Sequence, residues 1–517
     1  MTGLHLPERV RARAADAPTA PAVSDGDRTL TNAEFDASTT LLASALASVA
    51  APRGRVGGLL RMGVEGAETF VASAKAGLVF VPLNWRLNPD EAAAIAVDAE
   101  LDVLIADPEF AAAAGAIVAA LPTLRVVVLG PDPHVVPEAR TWGDFVATGD
   151  GVDPGHGSDL DAEVLQLYTS GTTGRPKGVV STHRNLHNDP EGLTIYHFGA
   201  DSVALDAMPL FHIAGAGFLS TCLSAGVHVV LLGEFSPSAV AALIERHRIT
   251  HAFLVPTTIA AILDLPDLAD HDLSSLRVVA YGSSPITPAL LRRAIDVLKC
   301  GFVQRYGMTE TTGSVTALPV EDHDPTGDRA GLLRSAGRAM PGTEVEIRDL
   351  VTGERLPAGE TGEIVCRSRN NVAGYWRRGD DGLFTDDGFL RTGDAGHLDK
   401  NGYLFVTDRV KDMIITGGEN VYPVEVEAVL AEHPAVAEVA VVGVPDARWG
   451  ESVTAVVRLV EDEKSPTEAE LVAFTTARLA SYKKPRRIHF VTALPRNASG
   501  KVLKKSLRES LGARSGS

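Results

Sequence analysis

Residues 167–178 read Leu-Tyr-Thr-Ser-Gly-Thr-Thr-Gly-Arg-Pro-Lys-Gly, and this stretch decides how the rest of the chain is interpreted. An apolar run leads into it, and glycines, threonines, a serine and Lys177 follow within a few positions. Glycines let backbone N–H groups approach a phosphate, hydroxyl groups add donors, and a lysine compensates negative charge. A Walker A loop is excluded because position 176 is proline where that motif requires glycine. The stretch therefore predicts a phosphate-binding loop at a strand end rather than a flexible surface loop.

The segments on both sides of this loop, from about residue 28 to 330, alternate short apolar runs with longer helical patterns. Residues 126–130 and 229–233 are apolar runs that end at glycine, as strands buried on both faces do. His228, just before the second run, is interpreted as a strand-end residue rather than a ligand. Residues 276–281 predict another strand, followed by a helix with Thr287 as N-cap and Pro288 at its first position. This alternation predicts an α/β fold with parallel sheets covered by helices.

The pattern changes after about residue 331, where short strands with glycine-rich turns replace the helices. Asn401-Gly402 between two β-type runs predicts a hairpin within a small antiparallel or barrel-like subdomain. Mixed α/β patterning resumes beyond Arg409, with helices near residues 423–432 and 467–480. We therefore predict an N-terminal domain over 1–408, made of subdomains at about 1–165, 166–330 and 331–408, and a C-terminal domain over 409–517.

Composition bounds the function. A chain of 517 residues exceeds one ordinary hydrophobic core, and its net charge of −18 argues against a general nucleic-acid or anionic-membrane binder. Three separated cysteines without a CxxC pair, no signal-peptide pattern and no apolar run of roughly 18 residues predict a soluble cytoplasmic protein without integral membrane contact. Residues 481–517 nevertheless hold ten Lys and Arg against one acid, a basic segment that suits a phosphate-bearing ligand unless its outermost residues form a solvated tail.

Six further motifs follow the loop in order. They are Pro-Leu-Phe-His at 209–212, Tyr-Gly-Met-Thr-Glu at 306–310, Arg-Thr-Gly-Asp at 391–394, Asp-Arg-Val-Lys-Asp at 408–412, Gly-Gly-Glu-Asn at 417–420 and Pro-Arg-Asn-Ala-Ser-Gly-Lys at 495–501. Together with the loop they resemble the adenylate-forming superfamily, specifically its acyl-CoA synthetases, over essentially the whole chain. The resemblance implies an N-terminal domain of two helix-covered, mainly parallel sheets with a β-barrel-like subdomain, and a small mobile α+β C-terminal domain.

The resemblance also implies roles for individual residues. It places adenine on Tyr306, the α-phosphate near Thr309, Mg²⁺ on Glu310 and the ribose on Asp394, with Arg409 as a second nucleotide contact. The catalytic residues that it implies are Lys501, Thr169, Glu310 and His212. The implied ATP and AMP contacts are Thr169, Ser170, Gly171, Thr172, Thr173, Lys177, Gly282, Ser283, Ser284, Tyr306, Gly307, Met308, Thr309, Asp394, Arg409 and Lys501. Arg305 departs from the small residue usual at its position, so the nucleotide wall is expected to differ there.

The implied reaction has two halves. A carboxylate attacks the α-phosphorus of ATP, giving acyl-AMP and pyrophosphate, while Lys177, Mg²⁺ and Lys501 offset charge. The thiolate of coenzyme A then attacks the mixed anhydride, and AMP leaves. Between the halves the C-terminal domain is expected to rotate about Lys411, which withdraws Lys501 and brings in the CoA contacts Gly417, Gly418 and Glu419.

The acid itself is less well defined by the sequence. Residues after His212 include no Asp or Glu until Glu234, which weighs against an amino acid, because its buried ammonium would lack a partner. The resemblance implies an acyl pocket lined by His212, Gly215, Ala216, Gly217, Gly282 and Gly313. Small residues there favour a bulky or medium-to-long hydrophobic acid, unless they only permit close packing. His212 is alternatively a satisfied core histidine.

Other readings of the whole chain remain open. The acceptor of the acyl group could be a carrier-protein phosphopantetheine, the enzyme could be a luciferase-like oxidative relative, or the chain could be a non-catalytic nucleotide-binding module. A homodimer is one candidate assembly, and the sequence leaves the oligomeric state open.

Overall fold

The computed structural model describes residues 5–26, 28–132, 134, 136, 138–156, 159–169, 176–186, 193–416, 419–446, 448–460, 465–496 and 502–515. The chain divides into two compact units. The first comprises Met1–Glu344 and Arg367–Leu390, and the second Val345–Cys366 and Arg391–Ser517. The division thus groups part of the predicted β subdomain with the C-terminal residues, and the boundary at 408 and the hinge at Lys411 stay predictions.

The first unit contains a seven-stranded sheet in the order β7-β6-β5-β3-β4-β8-β9. Its strands are β3 (Arg55–Leu59), β4 (Val79–Pro82), β5 (Leu101–Ala106), β6 (Arg125–Val128), β7 (Arg140–Thr141), β8 (Glu163–Thr169) and β9 (Lys177–Thr182). All neighbours are parallel except β8 and β9, which form an antiparallel hairpin. The predicted phosphate loop connects the two strands of that hairpin.

A nine-stranded sheet in the order β16-β15-β14-β13-β12-β10-β11-β1-β2 completes the β structure of this unit. Its strands are β1 (Pro21–Asp25), β2 (Arg28–Thr31), β10 (Val203–Asp206), β11 (His228–Leu231), β12 (His251–Leu254), β13 (Val278–Gly282), β14 (Gly301–Met308), β15 (Gly313–Leu318) and β16 (Arg338–Ala339). The strands from β1 to β14 along the sheet are parallel, and antiparallel partners close both ends. Central strands such as β13 are buried along their whole length, as their apolar sequences predict.

Helices pack on both sheets of the first unit, as the strand–helix alternation predicts. They are α1 (Leu6–Asp16), α2 (Asn32–Ala47), α3 (Val64–Lys75), α4 (Pro89–Ala99), α5 (Ala111–Ala120), α6 (Trp142–Val146), α7 (His183–Leu186), α8 (Ile213–Ala225), α9 (Pro237–His247), α10 (Pro256–Leu263) and α11 (Pro288–Leu298). The predicted start of α11 is confirmed, because Thr287 Oγ1 accepts a hydrogen bond from the backbone N–H of Leu290 and Pro288 is the first helical residue. His228 opens β11 and lies 2.7 Å from Ser24 Oγ, which agrees with its assignment to a strand end.

The second unit contains most of a four-stranded sheet and all of a five-stranded one. The first has the order β17 (Thr343–Arg348), β18 (Gly362–Ser368), β19 (Leu390–Leu398) and β20 (Leu404–Arg409). Its β19–β20 pair is the predicted Asn401-Gly402 hairpin, and Gly402 takes the positive φ of 80° that the turn requires. The five-stranded sheet consists of β21 (Ile414–Thr416), β22 (Glu419–Val421), β23 (Val436–Asp446), β24 (Gly450–Leu459) and β25 (Arg487–Phe490).

In the described part of the second unit there are three helices: α12 (Pro423–Leu430), α13 (Glu468–Thr476) and α14 (Lys504–Ser515). The first two confirm the helices predicted near 423–432 and 467–480. Among the residues that the structure describes, no helix is long and apolar enough to cross a membrane.

Candidate active site

Lys177 is the first residue of β9, directly opposite Thr169 at the end of β8. Its ammonium lies 2.6 Å from Asp381 Oδ2 and 4.5 Å from the centre of the Tyr375 ring. The side chain of Lys177 is 14% exposed, so the ammonium is held at the rim of the hairpin rather than in open solvent. The loop residues Ser170, Gly171, Thr172 and Thr173 lie outside the described residues.

Tyr375 connects Lys177 to Glu310. The hydroxyl of Tyr375 donates a hydrogen bond of 3.1 Å to Glu310 Oε1, while its ring faces the lysine. Glu310 is only 7% exposed. Burial and the adjacent negative charge of Glu310 raise the pKa of the Tyr375 phenol, so the hydroxyl stays protonated and donates. A cation, an aromatic ring and a buried carboxylate therefore form one cluster.

Sequence reasoning identified Lys177 and Glu310 but missed Tyr375. The residue belongs to the segment around Gly374-Tyr375-Trp376, which crosses the edge of β9: Trp376 N donates to Gly178 O at 2.8 Å, and Tyr375 bridges to Val179. The indole nitrogen of Trp376 donates to Asp98 O at 2.9 Å. Two adjacent aromatic residues in a glycine-rich stretch were the available signal, but nothing in the sequence connects them to position 310.

Glu310 itself is positioned by the end of β14. The short 3₁₀ turn Thr309–Thr311 follows that strand, and Thr311 Oγ1 donates to Gly313 O at 2.6 Å and accepts from Met308 N at 3.0 Å. A Cβ atom on Gly307 would overlap the carbonyl oxygen of Gly313, so glycine is required for this close approach. The predicted metal ligand Glu310 thus lies in a turn that directly follows the predicted nucleotide contacts Tyr306, Gly307, Met308 and Thr309.

The carboxylate of Glu310 is a suitable ligand for a divalent cation. It is buried, one oxygen is held by the Tyr375 hydroxyl, and no Lys, Arg or His of the described ranges forms an ion pair with it. A buried carboxylate without a basic partner is unfavourable unless a cation is adjacent. No cluster of three or more His, Cys, Asp or Glu with metal-binding geometry occurs within the part of the chain that the structure describes. Mg²⁺ here would therefore take its other ligands from substrate phosphates and water.

The predicted Gly282-Ser283-Ser284 segment lies at the carboxyl end of β13, where open α/β sheets place ligands. Gly282 pairs with Arg305 on β14, and a Cβ atom at Gly282 would overlap the Arg305 carbonyl oxygen. Ser283 has a positive φ of 65°, which directs the chain away from the sheet. Both serines are exposed at this edge.

His212 immediately precedes α8. Its Nε2 atom is buried and has no hydrogen-bond partner among the described residues, and its ring lies 4.6 Å from that of Phe211. Burial, assisted by the positive charge of Arg86, lowers the pKa of His212 to about 4. The imidazole is therefore neutral near pH 7. An unpaired buried nitrogen is unlike a satisfied core histidine and is available to a bound group.

A cavity of about 90 Å³ opens beside this helix. Its described lining comprises Asn185, Leu186, Tyr196, Ile213, Ala214, Gly217, Phe218, Thr221, Phe253, Ser283, Arg305, Gly307, Thr312, Gly313, Ser314 and Asn370. Of the residues expected in the acyl pocket, Gly217 and Gly313 line it, whereas His212, Gly215, Ala216 and Gly282 are not part of this lining.

Gly215 and Gly217, which are both on α8, differ in whether the structure has room for a side chain at their position. A Cβ atom on Gly215 would overlap the carbonyl oxygen of Pro209, so Gly215 is small because the chain packs closely there. A Cβ atom on Gly217 would meet only the Ile213 side chain, at 3.5 Å. Close packing therefore accounts for Gly215, and Gly217 alone of these two leaves open space in the cavity.

The remaining predicted residues belong to the second unit. Asp394, 8% exposed, is on β19 and pairs in register with Arg409 on β20, so the two predicted ribose contacts are neighbours on one hairpin. Lys411 is in the 3₁₀ turn Val410–Asp412, and Glu419 begins β22. Gly417, Gly418 and Lys501 lie outside the described residues.

Comparisons with known proteins cover nearly the whole chain. The family profile described as "AMP-binding enzyme" matches residues 10–376, and that of the "AMP-binding enzyme C-terminal domain" matches residues 425–501. The chain is 38% identical over 500 residues to fatty acid–[acyl-carrier-protein] ligase ScoC of Streptomyces coeruleorubidus, covering 95% of this chain and 93% of that protein. It is 39% identical over 507 residues to feruloyl-CoA synthase of an Amycolatopsis species, covering 97% and 98%.

The fold is shared with solved structures as well. The crystal structure of ATP-bound MatB from Rhodopseudomonas palustris superposes with a TM-score of 0.87 at 32% identity, covering 98% of this chain and 99% of that one. The two sheets, the Lys177 hairpin and the Glu310 turn thus define an adenylate-forming enzyme that binds ATP and a carboxylic acid. The chain belongs to the AMP-binding enzyme family, and within it is an AMP-forming acid–thiol ligase.

Proposed function

We propose that the protein is an ATP-dependent acyl-CoA synthetase that converts a hydrophobic carboxylic acid into its CoA thioester, with AMP and pyrophosphate as the other products. The cluster of Lys177, Tyr375 and Glu310 is the observation that carries this proposal. In this cluster a lysine ammonium lies over the Tyr375 ring and the Tyr375 hydroxyl donates to a buried carboxylate, and Lys177 closely follows the glycine-rich segment in the sequence. That combination suits a polyphosphate whose charge is shared between a lysine and a metal ion.

In the first half-reaction, the acid carboxylate attacks the α-phosphorus of ATP and pyrophosphate leaves. Lys177 offsets charge on the phosphates, Thr169 and the loop residues Ser170–Thr173 donate hydrogen bonds, and Glu310 would hold Mg²⁺, which supplies Lewis-acid polarisation when bound. The ring of Tyr306 provides a face for adenine. Asp394 accepts hydrogen bonds from the ribose hydroxyls, and Arg409 is a second contact to the nucleotide. His212 presents a neutral Nε2 that can donate to the reacting carboxylate if its tautomer places the proton there.

The second half-reaction uses the C-terminal residues. Lys501 bridges the acid carboxylate and the α-phosphate during adenylation, and a rotation of the domain over 409–517 about Lys411 then withdraws it. Gly417, Gly418 and Glu419 are the proposed contacts of the CoA pantetheine arm, because glycine leaves room for a narrow chain. The CoA thiolate attacks the acyl carbon, and AMP carries away the phosphate charge.

The nature of the acid is proposed from the cavity lining. Ile213, Ala214, Phe218 and Phe253 supply an apolar wall, and Gly217 leaves space along it. Such a wall binds a hydrocarbon or aryl body by excluding water. Relatives named for fatty, feruloyl and indoleacetic acids are consistent with this class.

A carrier protein is the second candidate for the acceptor. The similarity to a fatty acid–[acyl-carrier-protein] ligase favours it specifically, since both acceptors present the same phosphopantetheine thiol. CoA and a carrier protein differ only in the part attached to the pantetheine arm. The choice of acceptor therefore depends on which of these two attached parts the second unit binds.

Pyrophosphate release, measured across a panel of fatty and aryl acids, tests the proposal. We expect release that depends on the acid, and a thioester product with CoA but not with a phosphopantetheinylated carrier protein. Thioester on the carrier protein alone would support the second candidate, and absence of acid-dependent release would contradict both. Lys177→Met should abolish release, whereas Lys299→Met, at a lysine that follows α11 and is 73% exposed, should leave it unchanged.

A further inference from the structure

Arg305 brings a positive charge into the wall of the cavity. It is the residue of β14 immediately before Tyr306, and its backbone is held between Gly282 of β13 and Ala317 of β15. Its side chain therefore leaves a rigid, three-stranded part of the sheet. A guanidinium stays protonated under all ordinary conditions, so the charge is permanent.

Only some N–H groups of the Arg305 guanidinium have a hydrogen-bond acceptor among the described residues. Its Nε donates to Ser314 Oγ at 2.9 Å, and its carbon lies 5.2 Å from the centre of the Tyr196 ring. Its Nη1 atom is buried and has no hydrogen-bond partner among the described residues. A cation–π contact stabilises the charge in part but leaves in-plane N–H groups unbonded. A buried N–H of a charged group without an acceptor is costly.

The rest of the lining does not supply the missing acceptor. None of the lining residues that the structure describes is Asp or Glu, and no described carboxylate forms an ion pair with Arg305. The neighbouring polar side chains have partners of their own: Asn185 donates to the carbonyls of Arg369 and Asn371, and Thr221 donates to Gly217 O. Arg305 Nη1 is the one buried side-chain nitrogen or oxygen of the described lining that lacks a partner.

We infer that the acid carries a second oxygen acceptor, a carboxylate or a carbonyl, which Arg305 binds inside the cavity. This inference rests on the proposed function and narrows its substrate class to dicarboxylic or oxo-carboxylic acids with an apolar body. A second acceptor satisfies Nη1, and a carboxylate also neutralises the buried charge. The apolar wall of Ile213, Phe218 and Phe253 then packs against the carbon chain between the two oxygen groups.

Matched acids test the inference. Hexanoate is compared with adipate and 5-oxohexanoate, and 3-phenylpropanoate with its ring-carboxylated analogue, by pyrophosphate release and by calorimetric binding to the full chain. We expect kcat/KM for the best second-acceptor acid to exceed that of its plain partner about 10- to 150-fold, which is the factor that corresponds to one hydrogen bond to a charged group. Preference for adipate over 5-oxohexanoate assigns the carboxylate, and the reverse assigns the carbonyl.

Two variants separate recognition from structure. Arg305→Met should remove the preference by lowering kcat/KM for the second-acceptor acid while leaving or improving that for the plain acid. Arg292→Met, at an exposed arginine of α11, makes the same substitution away from the cavity and should change neither. Melting temperatures establish that both variants fold.

The outcomes distinguish this inference from the proposed function. Release with plain acids but no preference for a second acceptor, by either readout and in every pair, overturns the inference and leaves the proposed function intact. An equal loss with both acids in Arg305→Met also overturns it, because Arg305 would then act on the carboxylate that is adenylated. Selective binding of second-acceptor acids without any pyrophosphate release would support the inference while contradicting the proposed function.

Discussion

Replacing Tyr375 by phenylalanine tests whether the Lys177–Tyr375–Glu310 cluster acts in adenylation. The change removes only the hydroxyl that donates to Glu310 Oε1 at 3.1 Å and keeps the ring that faces Lys177 at 4.5 Å. Because Glu310 is 7% exposed, water cannot readily replace the lost donor. The carboxylate that is proposed to hold Mg²⁺ would then lose its orientation.

The expected effect follows from the energy of that bond. A hydrogen bond to a charged group contributes about 1.5–3 kcal/mol, which corresponds to a loss of about 10- to 150-fold in kcat/KM. The apparent Mg²⁺ requirement should rise in parallel. Tyr375→Leu also removes the ring, and loss of the cation–π contact at Lys177 should cost a further factor of about 2 to 5.

The assay is acid-dependent pyrophosphate release with Mg²⁺ and ATP varied separately, together with thermal unfolding of each variant. Tyr482→Phe, at an exposed tyrosine of the second unit, is the matched control and should behave as the unsubstituted protein. Activity of Tyr375→Phe within twofold of the unsubstituted protein, at unchanged Mg²⁺ dependence, would refute the proposed role. A fall in activity accompanied by a matching fall in melting temperature would assign Tyr375 a structural role instead.

Four further predictions follow from single observations. Lys501→Ala should abolish acyl-AMP formation yet still convert supplied acyl-AMP to thioester. Lys505→Ala, at a lysine 75% exposed, should affect neither half-reaction. Equal loss of both half-reactions in Lys501→Ala would exclude the role assigned to Lys501. Asp381→Asn should free the ammonium of Lys177 and lower the KM for ATP about 1.4- to 5-fold, because an ion pair near the surface contributes about 0.2–1 kcal/mol. An unchanged or higher KM counts against competition between Asp381 and phosphate. The pKa of His212 is about 4 in the folded chain and near 6.5 when unfolded, so the unfolded chain takes up the proton first as the pH falls. As the pH falls from about 6.5 to about 4, His212 therefore lowers the free energy of unfolding by at most about 1.4 kcal/mol per pH unit. His212→Asn should flatten that part of the stability profile measured by denaturant unfolding, and an unchanged profile would contradict the assignment. Gly217→Ala should raise the melting temperature slightly, because alanine is favoured over glycine in a helix interior by about 0.5–1 kcal/mol and its Cβ atom would meet nothing closer than 3.5 Å. It should also shift the preference toward smaller acids. A lowered melting temperature would show that Gly217 is needed for packing.

The local features of the fold could be predicted from the sequence because they depend on neighbouring residues. The apolar runs at 126–130 and 276–281, the Thr287 cap and the Asn401-Gly402 turn each specify their structure within a few positions, and each is confirmed. The ordered motifs likewise identified the family, since each keeps its residues on one short segment.

The sequence by itself thus determined the class of the enzyme, the alternation of strands and helices in its N-terminal part, and the short segments that contain Lys177 and Glu310. Only the tertiary structure decided that Tyr375 joins these two residues, because its contact with Glu310 spans 65 positions and depends on how a later segment crosses β9. It also decided that Gly215 is needed for packing while Gly217 borders open space, and that Arg305 ends with an unbonded nitrogen in the cavity. Propensity and periodicity act between near neighbours, whereas the surroundings of a side chain are set by elements far away in the chain.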